Sequence, residues 1–258
     1  MIAILPAFAY QTTPWSVTPS PTMQIAQASL SSSFNWAGYI ANNGTFTGVG
    51  ATWTIPKTNN NSGTLAADAT WVGIGGTTSR DLIQVGTQTI TSPTGDVSYK
   101  AWIEKLPSSS RVVFLTVNPG DSITASIIQQ SDGLWNISLT DNTTGQKFQT
   151  TTQYNSSLSS AEWIQEMPSV RYGFIPLDSF GSVQFSNAWT IQNGIRVSAA
   201  QAQVTAMTMT DLYNQTLAAP SALDAIGSGF VVTRSNTANT PTLAIGRGSF
   251  RIKIRFRN

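Results

Sequence analysis

Residues 122–139 read S-I-T-A-S-I-I-Q-Q-S-D-G-L-W-N-I-S-L. Two runs within this stretch, Ser122–Gln129 and Leu134–Leu139, alternate apolar and polar side chains on either side of an Asp132-Gly133 pair. Alternation with period two gives each run one face for a core and one for water, and Asp-Gly between such runs is a strong hairpin signal. The pattern extends outward in both directions. Upstream it covers Thr45–Ile55, Ala69–Ile74, Leu82–Ile90, Val97–Glu104 and Val112–Val117. Downstream it covers Lys147–Tyr154, Ala161–Glu166, Ser182–Phe185, Gln203–Thr210, Gly229–Thr233 and Arg251–Arg257. Pro119-Gly120 and Asn193-Gly194 add further turns. Short segments at this spacing, with no long apolar face of helical period among them, predict an all-β sandwich. Only Leu212–Ile226, with its Ala and Leu content, suggests a helical turn.

Residues 11–33 carry prolines among Ser, Thr and Gln and show no long periodic face. Residues 1–33 therefore read as a leader or propeptide-like arm, and residues 34–258 as the sandwich domain. The opening M-I-A-I-L-P-A-F-A is a short apolar run ending in a small residue, which reads as the remnant of a signal peptide and favours export. No stretch approaches the roughly 18 apolar residues of a membrane span, so stable membrane insertion is not expected.

Composition narrows the chemistry. The 258 residues contain no Cys and no His, and only 10% are charged, against roughly 25% in an average soluble domain. A disulfide, a thiolate nucleophile, a Ser-His-Asp arrangement and a zinc site with the usual soft ligands are all excluded, and no cofactor or metal is expected. With 12 carboxylates there are few ion pairs to lose in acid, and no His has to become charged, so the composition tolerates low pH. The net charge of +2 says little about polyanions. The one basic cluster, R-I-K-I-R-F-R (251–257), puts its charges on one face and Ile252, Ile254 and Phe256 on the other, as an amphipathic final strand would. No nucleic-acid partner is expected. Gly73, Gly75 and Gly76 follow a short strand and precede two threonines, which marks a turn rather than a dinucleotide fingerprint.

Most of the Asp residues sit in turn-like settings beside Gly, Asn, Pro or Ser, whereas the three Glu residues do not. Glu104 lies in Y-K-A-W-I-E, and Glu162 and Glu166 lie in A-E-W-I-Q-E, both strand-like and both bearing Trp. A regular strand puts Glu162, Ile164 and Glu166 on one face and Trp163 and Gln165 on the other. Periodicity alone leaves two readings open. The carboxylates are ordinary strand residues on a polar surface, or they are desolvated groups on a concave face that serve as general base or acid. Paired carboxylates would also suit glycoside hydrolysis.

At this point the chain resembles the glutamic peptidases, or eqolisins, acid-active secreted endopeptidases best known from fungi. The resemblance rests on F-N-W-A-G (34–38), A-T-W-T-I-P (51–56), W-V-G-I-G-G (71–76), L-I-Q-V-G (82–86) and Y-K-A-W-I-E (99–104). It continues through N-I-S-L-T-D-N-T-T-G-Q (136–146), A-E-W-I-Q-E (161–166) and F-G-S-V-Q-F (180–185), with the blocks in the family's order. It implies a concanavalin A-like or jelly-roll sandwich of two large antiparallel sheets with the catalytic pair on a concave face. It also implies that Gln84 and Glu166 are that pair, that Trp36, Trp71 and Glu104 line or support the cleft, and that Glu162 lies beside them. An extended peptide or unfolded protein would be the substrate, cleaved without cofactor or metal by a secreted monomer working in acid.

The chain departs from the family pattern at two carboxylates. Gly75 stands where the family has W-V-G-I-D-G, and Lys100 where it has Y-D-A-W-Y-E. The cysteines of characterised fungal members are missing as well, which points to a non-fungal, cysteine-free member suited to hot acid. Two readings of other classes stand beside this one. One is a lectin-like carbohydrate-binding sandwich, with Trp71, Trp102 and Trp163 stacking on sugars, and the other is a β-glucanase-like glycoside hydrolase.

Overall fold

A computed structural model of the chain describes residues 30–58, 63–131, 133–170 and 173–235. In chain order its strands are β1 (Leu30–Ser33), β2 (Trp36–Ala41), β3 (Phe46–Thr54), β4 (Ala66–Gly75), β5 (Leu82–Thr91) and β6 (Val97–Lys105). Next come β7 (Arg111–Val112), β8 (Ser122–Ser131), β9 (Leu134–Asp141), β10 (Lys147–Gln153), β11 (Ala161–Glu166) and β12 (Ser169–Val170). The last six are β13 (Gly173–Phe174), β14 (Ser182–Gln192), β15 (Ile195–Ser198), β16 (Thr205–Thr210), β17 (Thr216–Pro220) and β18 (Phe230–Arg234). Among the described residues no helix is long and apolar enough to cross a membrane.

One hydrogen-bonded path runs β10-β9-β8-β3-β14-β18-β17-β16-β2-β11-β4-β5-β6-β7, while β12 and β13 pair separately. The path folds over on itself, so that β3 and β8 pack against β4, β5 and β11. The result is the expected all-β sandwich of two large antiparallel sheets. The hairpin read from residues 122–139 is β8–β9, in register from Ile123 opposite Asp141 to Gln129 opposite Trp135, with a register shift before Ser131 opposite Leu134.

Between the layers lies the larger core, which includes Trp53, Trp135, Trp163, Phe46 and Phe185. An indole buried this deeply needs a partner for its N–H. Trp163 Nε1 donates to the Gly50 carbonyl at 3.0 Å, Trp53 Nε1 to Thr87 Oγ1 at 2.9 Å, and Trp135 Nε1 to the Tyr154 carbonyl at 2.9 Å. A second apolar cluster occupies the opposite face of β2, β11, β4, β5 and β6 and contains Trp36, Ile40, Trp71, Leu82, Trp102 and Ile164. Strands β2, β4 and β11 are consequently buried on both faces.

Three local expectations change. Leu212–Ile226 holds no helical turn: the Asp211 carboxylate accepts the backbone N–H groups of Tyr213 and Gln215, each at 2.8 Å, and this side-chain-organised turn leads into β17. Val112–Val117 keeps its alternation, with Val113, Leu115 and Val117 buried, but only Arg111–Val112 forms a ladder, pairing with β6. Leu30–Ser33, assigned to the N-terminal arm from sequence, forms β1 and runs parallel to β16. The remainder of the arm and the segment Arg251–Arg257 lie outside the described residues.

Candidate active site

Strand β11 lies between β2 and β4, and it presents Glu162, Ile164 and Glu166 to the second apolar cluster as the period-two reading requires. Register aligns three rows of side chains across this face. One row runs Trp36, Glu166, Ala69, Gln88, Lys100; the next runs Gly38, Ile164, Trp71, Gly86, Trp102; the third runs Ile40, Glu162, Gly73, Gln84, Glu104. All six residues named from sequence, Trp36, Trp71, Gln84, Glu104, Glu162 and Glu166, therefore share one face. Each of them is buried.

Both oxygens of Glu166 are held. Trp71 Nε1 donates to Oε2 at 2.7 Å, and Asn35 Nδ2 donates to Oε1 at 3.0 Å. The Trp71 ring meets Trp36 edge to face, with centroids 5.0 Å apart. Asn35 is itself fixed, because the Ser33 hydroxyl donates to its Oδ1 at 3.2 Å and so turns the amide N–H groups toward Glu166. Ser33 Oγ also accepts the Trp36 backbone N–H at 3.2 Å, which ties the turn between β1 and β2 to the same point. Burial pushes the Glu166 carboxyl well above the usual carboxylate range. Trp71 first, and then the nearby Trp36 indole and Asn35, act against that rise, while the charge of Glu104 adds to it.

Gln84 is fully buried, and its Nε2 donates to Glu104 Oε2 at 2.6 Å. That bond uses one of the two amide hydrogens and sets which way the amide points. Gln84 Oε1 is buried and accepts no hydrogen bond from the protein.

Glu162 sits across Gly73 from Gln84, and both of its oxygens are buried with no close hydrogen-bond partner among the described residues. A Cβ on Gly73 would lie 3.3 Å from Glu162 Oε2 and 2.8 Å from the Trp71 ring, so the carboxyl packs beside that ring. Burial first, and then the charge of Asp81, push the Glu162 carboxyl well above its ordinary range. Among the described residues no three carboxylates gather to hold a metal ion.

Structure gives a steric reason for one departure from the family pattern. Gly75 has φ +89°, and a Cβ there would lie 2.7 Å from the Asp81 carbonyl oxygen and 2.8 Å from Asp81 Oδ2. Asp81 is anchored in that place by the Ser156 hydroxyl at 3.1 Å and the Ser157 N–H at 2.6 Å. Its carboxylate occupies the space beside position 75. Lys100 projects from β6 opposite Gln88 and is exposed. Sequence reasoning missed Asn35, Ser33 and Asp81. Asn35 stood inside the F-N-W-A-G block, but nothing local marks a contact with a residue 131 positions away.

Comparison with known proteins adds an independent line. Residues 34–226 match the Peptidase A4 family. The chain is 33% identical over 198 residues to Scytalidopepsin B of Scytalidium lignicola, covering 72% of this chain and 74% of that protein. It is 28% identical over 197 residues to Aspergillopepsin-2 of Aspergillus niger, covering 67% and 69%. Among solved structures it superposes on scytalido-glutamic peptidase bound to a transition state analog inhibitor with a TM-score of 0.66 and 28% identity, over 78% of this chain and 98% of that one. Aspergilloglutamic peptidase from Aspergillus niger gives a TM-score of 0.59 at 28% identity, over 66% and 99%.

Proposed function

The chain belongs to the Peptidase A4 family, the glutamic peptidases, and we propose that Glu166 and Gln84 carry its peptide-bond hydrolysis. It is an acid-active endopeptidase. Glu166, as carboxylate, takes a proton from a water molecule, and that water attacks the scissile carbonyl. The amide hydrogen of Gln84 not used by Glu104 stabilises the developing oxyanion. Glu166 then returns its proton to the leaving amine. Glu104 acts through Gln84 as a positioning residue, and Asn35 and Trp71 act through Glu166 in the same way. Trp36 and Trp71 supply an aromatic wall to a cleft that takes an extended peptide or an unfolded protein.

The observation that carries this reading is the environment of Glu166: a fully buried carboxylate with one donor on each oxygen. One donor per oxygen acts against the rise that burial causes and still leaves lone pairs for a water. Among the described residues Glu162 has only the Ser160 hydroxyl to act against its burial, which separates the two acids of β11 by environment. Lectin-like and β-glucanase-like readings are set aside, because the relatives that share this chain's residues and fold are peptidases. A cysteine-free sequence further suggests a branch distinct from the fungal relatives, acting as an exported monomer in an acidic medium, with neither nucleic acid nor membrane as partner.

The test is cleavage of a denatured protein between about pH 2 and 5 by the parent chain and by Gln84→Ala and Glu166→Gln variants. Loss of oxyanion stabilisation or of the base should lower kcat by about 100-fold or more. Full activity in either variant would sink the assignment.

A further inference from the structure

A cavity of about 460 Å³ opens along β2 on the side of Glu166 away from Gln84. Phe34, Trp36, Ile40, Phe174 and Met207 supply its apolar wall, with hydroxyls and amides between them and no charged side chain among the described residues that line it. We propose that this groove is a specificity subsite that takes a large apolar side chain of the peptide substrate, three or four residues from the scissile bond. The proposal rests on the reading of Glu166 and Gln84 given above and extends it to substrate choice.

Continuity with the site is direct, since Asn35, which holds Glu166 Oε1, and Trp36, which packs on Trp71, both line the groove. Register explains the hollow. Trp36 and Ile40 point to the same face from β2, Met207 stands opposite Gly38 on β16, and Gly38 brings no side chain to the space between them. Phe34 at the rim is 52% exposed, an apolar ring held in water at the mouth of an apolar groove.

Reach follows from strand spacing. A peptide whose scissile carbonyl lies between Gln84 on β5 and Glu166 on β11 crosses the strands, and the next strands beyond β11 are β2 and β16. Neighbouring strands lie about 4.8 Å apart and an extended peptide advances about 3.3 Å per residue, so from a bond over β4 the groove begins roughly three residues away at β2 and ends roughly four away at β16. A charged side chain arriving there would be desolvated with no ion partner, whereas Leu or Phe would bury apolar surface.

The experiment measures kcat/KM for peptides that differ only in carrying Phe, Leu, Ala or Lys at the third and fourth positions on either side of the cleaved bond. At one of these positions Phe or Leu should exceed Ala by about tenfold and Lys by more. Met207→Lys should lower the Phe-to-Ala ratio severalfold, as should Phe34→Ser, whose site is half in solvent and outside the core. A parent chain indifferent to all four positions, or a ratio unchanged in both variants, would overturn the subsite. Failure of the parent chain to cleave any peptide or denatured protein would overturn the Glu166–Gln84 reading, and the subsite with it.

Discussion

Trp71 donates its indole N–H to Glu166 Oε2 at 2.7 Å across the β4–β11 ladder, so the ring that walls the site also holds the carboxylate that works in it. Burial raises the Glu166 pKa, and Trp71, with Trp36 and Asn35 after it, opposes that rise. A hydrogen bond to a charged group contributes about 1.5–3 kcal/mol, equivalent to roughly one to two pH units. Trp71→Phe keeps an aromatic ring near Trp36 and removes the donor, and Asn35→Ala removes the other. Losing a donor to the ionised form raises the pKa further, so the base is protonated over more of the acidic range. The acidic limb of the kcat/KM profile should move up by about one pH unit in each variant, with the largest loss at the lowest pH. Limbs that stay in place in both variants would show that another group titrates there.

Glu104 fixes the amide of Gln84 through a 2.6 Å bond. Glu104→Leu removes the acceptor and lets the amide turn, which should lower kcat by about 10- to 100-fold and leave KM within about threefold. Glu104→Gln offers an amide oxygen to the same N–H and should restore most of the rate. Equal damage from both variants would mean that the charge of Glu104, rather than its hold on Gln84, is what matters.

Gly75→Asp would restore the carboxylate of the family pattern, and the structure predicts that it fails to improve the protein. At φ +89° a side chain is strained, and its Cβ would meet Asp81 at two atoms. The variant should lose about 1–3 kcal/mol in denaturant unfolding. Asp81→Ala in the same chain should recover only part of this, because the Asp81 carbonyl oxygen remains 2.7 Å from the new Cβ. A Gly75→Asp protein as stable as its parent would refute the steric account.

Legibility in the sequence followed burial. The β8–β9 hairpin was readable because each strand has one wet face, and the common face of Glu162 and Glu166 was readable because β11 is regular. Strand β2 was not set out as a strand, since W-A-G-Y-I-A is buried on both faces and does not alternate. Strand β17 hid behind its Ala and Leu content, and the turn before it depends on the side chain of Asp211. At the site, Glu166 and Gln84 could be singled out from a family resemblance but not from pattern. Asn35 and Asp81 act on residues far away in the chain, and contacts of that kind leave no local period to read.

The inner face of the same strands carries the last prediction. Asp68 on β4 is buried between the layers, where Gln165 Nε2 donates to its Oδ1 at 2.9 Å while its Oδ2 has no partner. Asp178 lies close enough to add repulsion; Tyr99 and Arg234 are the other ionisable groups near this pair. Burial, then Asp178, push the Asp68 pKa up to about 8, and Glu162 on the other face is raised by burial as well. An acid whose folded pKa exceeds its unfolded value holds its proton more tightly in the fold. Below about pH 4 both states are protonated and the full stability is present. As pH rises from about 4 toward 8 the unfolded chain releases the proton first, and stability falls by about 1.4 kcal/mol per pH unit for each such group, on the order of 5 kcal/mol for Asp68 alone. That is comparable to the whole stability of many domains, so these groups should weaken the fold from about pH 4 toward neutral, while Asp81 and Asp141, held below the ordinary carboxylate range by hydrogen bonds, lose their contribution only in stronger acid. Asp68→Asn cannot ionise, and its denaturation midpoint should fall less steeply between pH 4 and 8 than that of the parent chain. Urea midpoints at pH 3, 5 and 7 test this, and a parent protein that gains stability over that range would refute it.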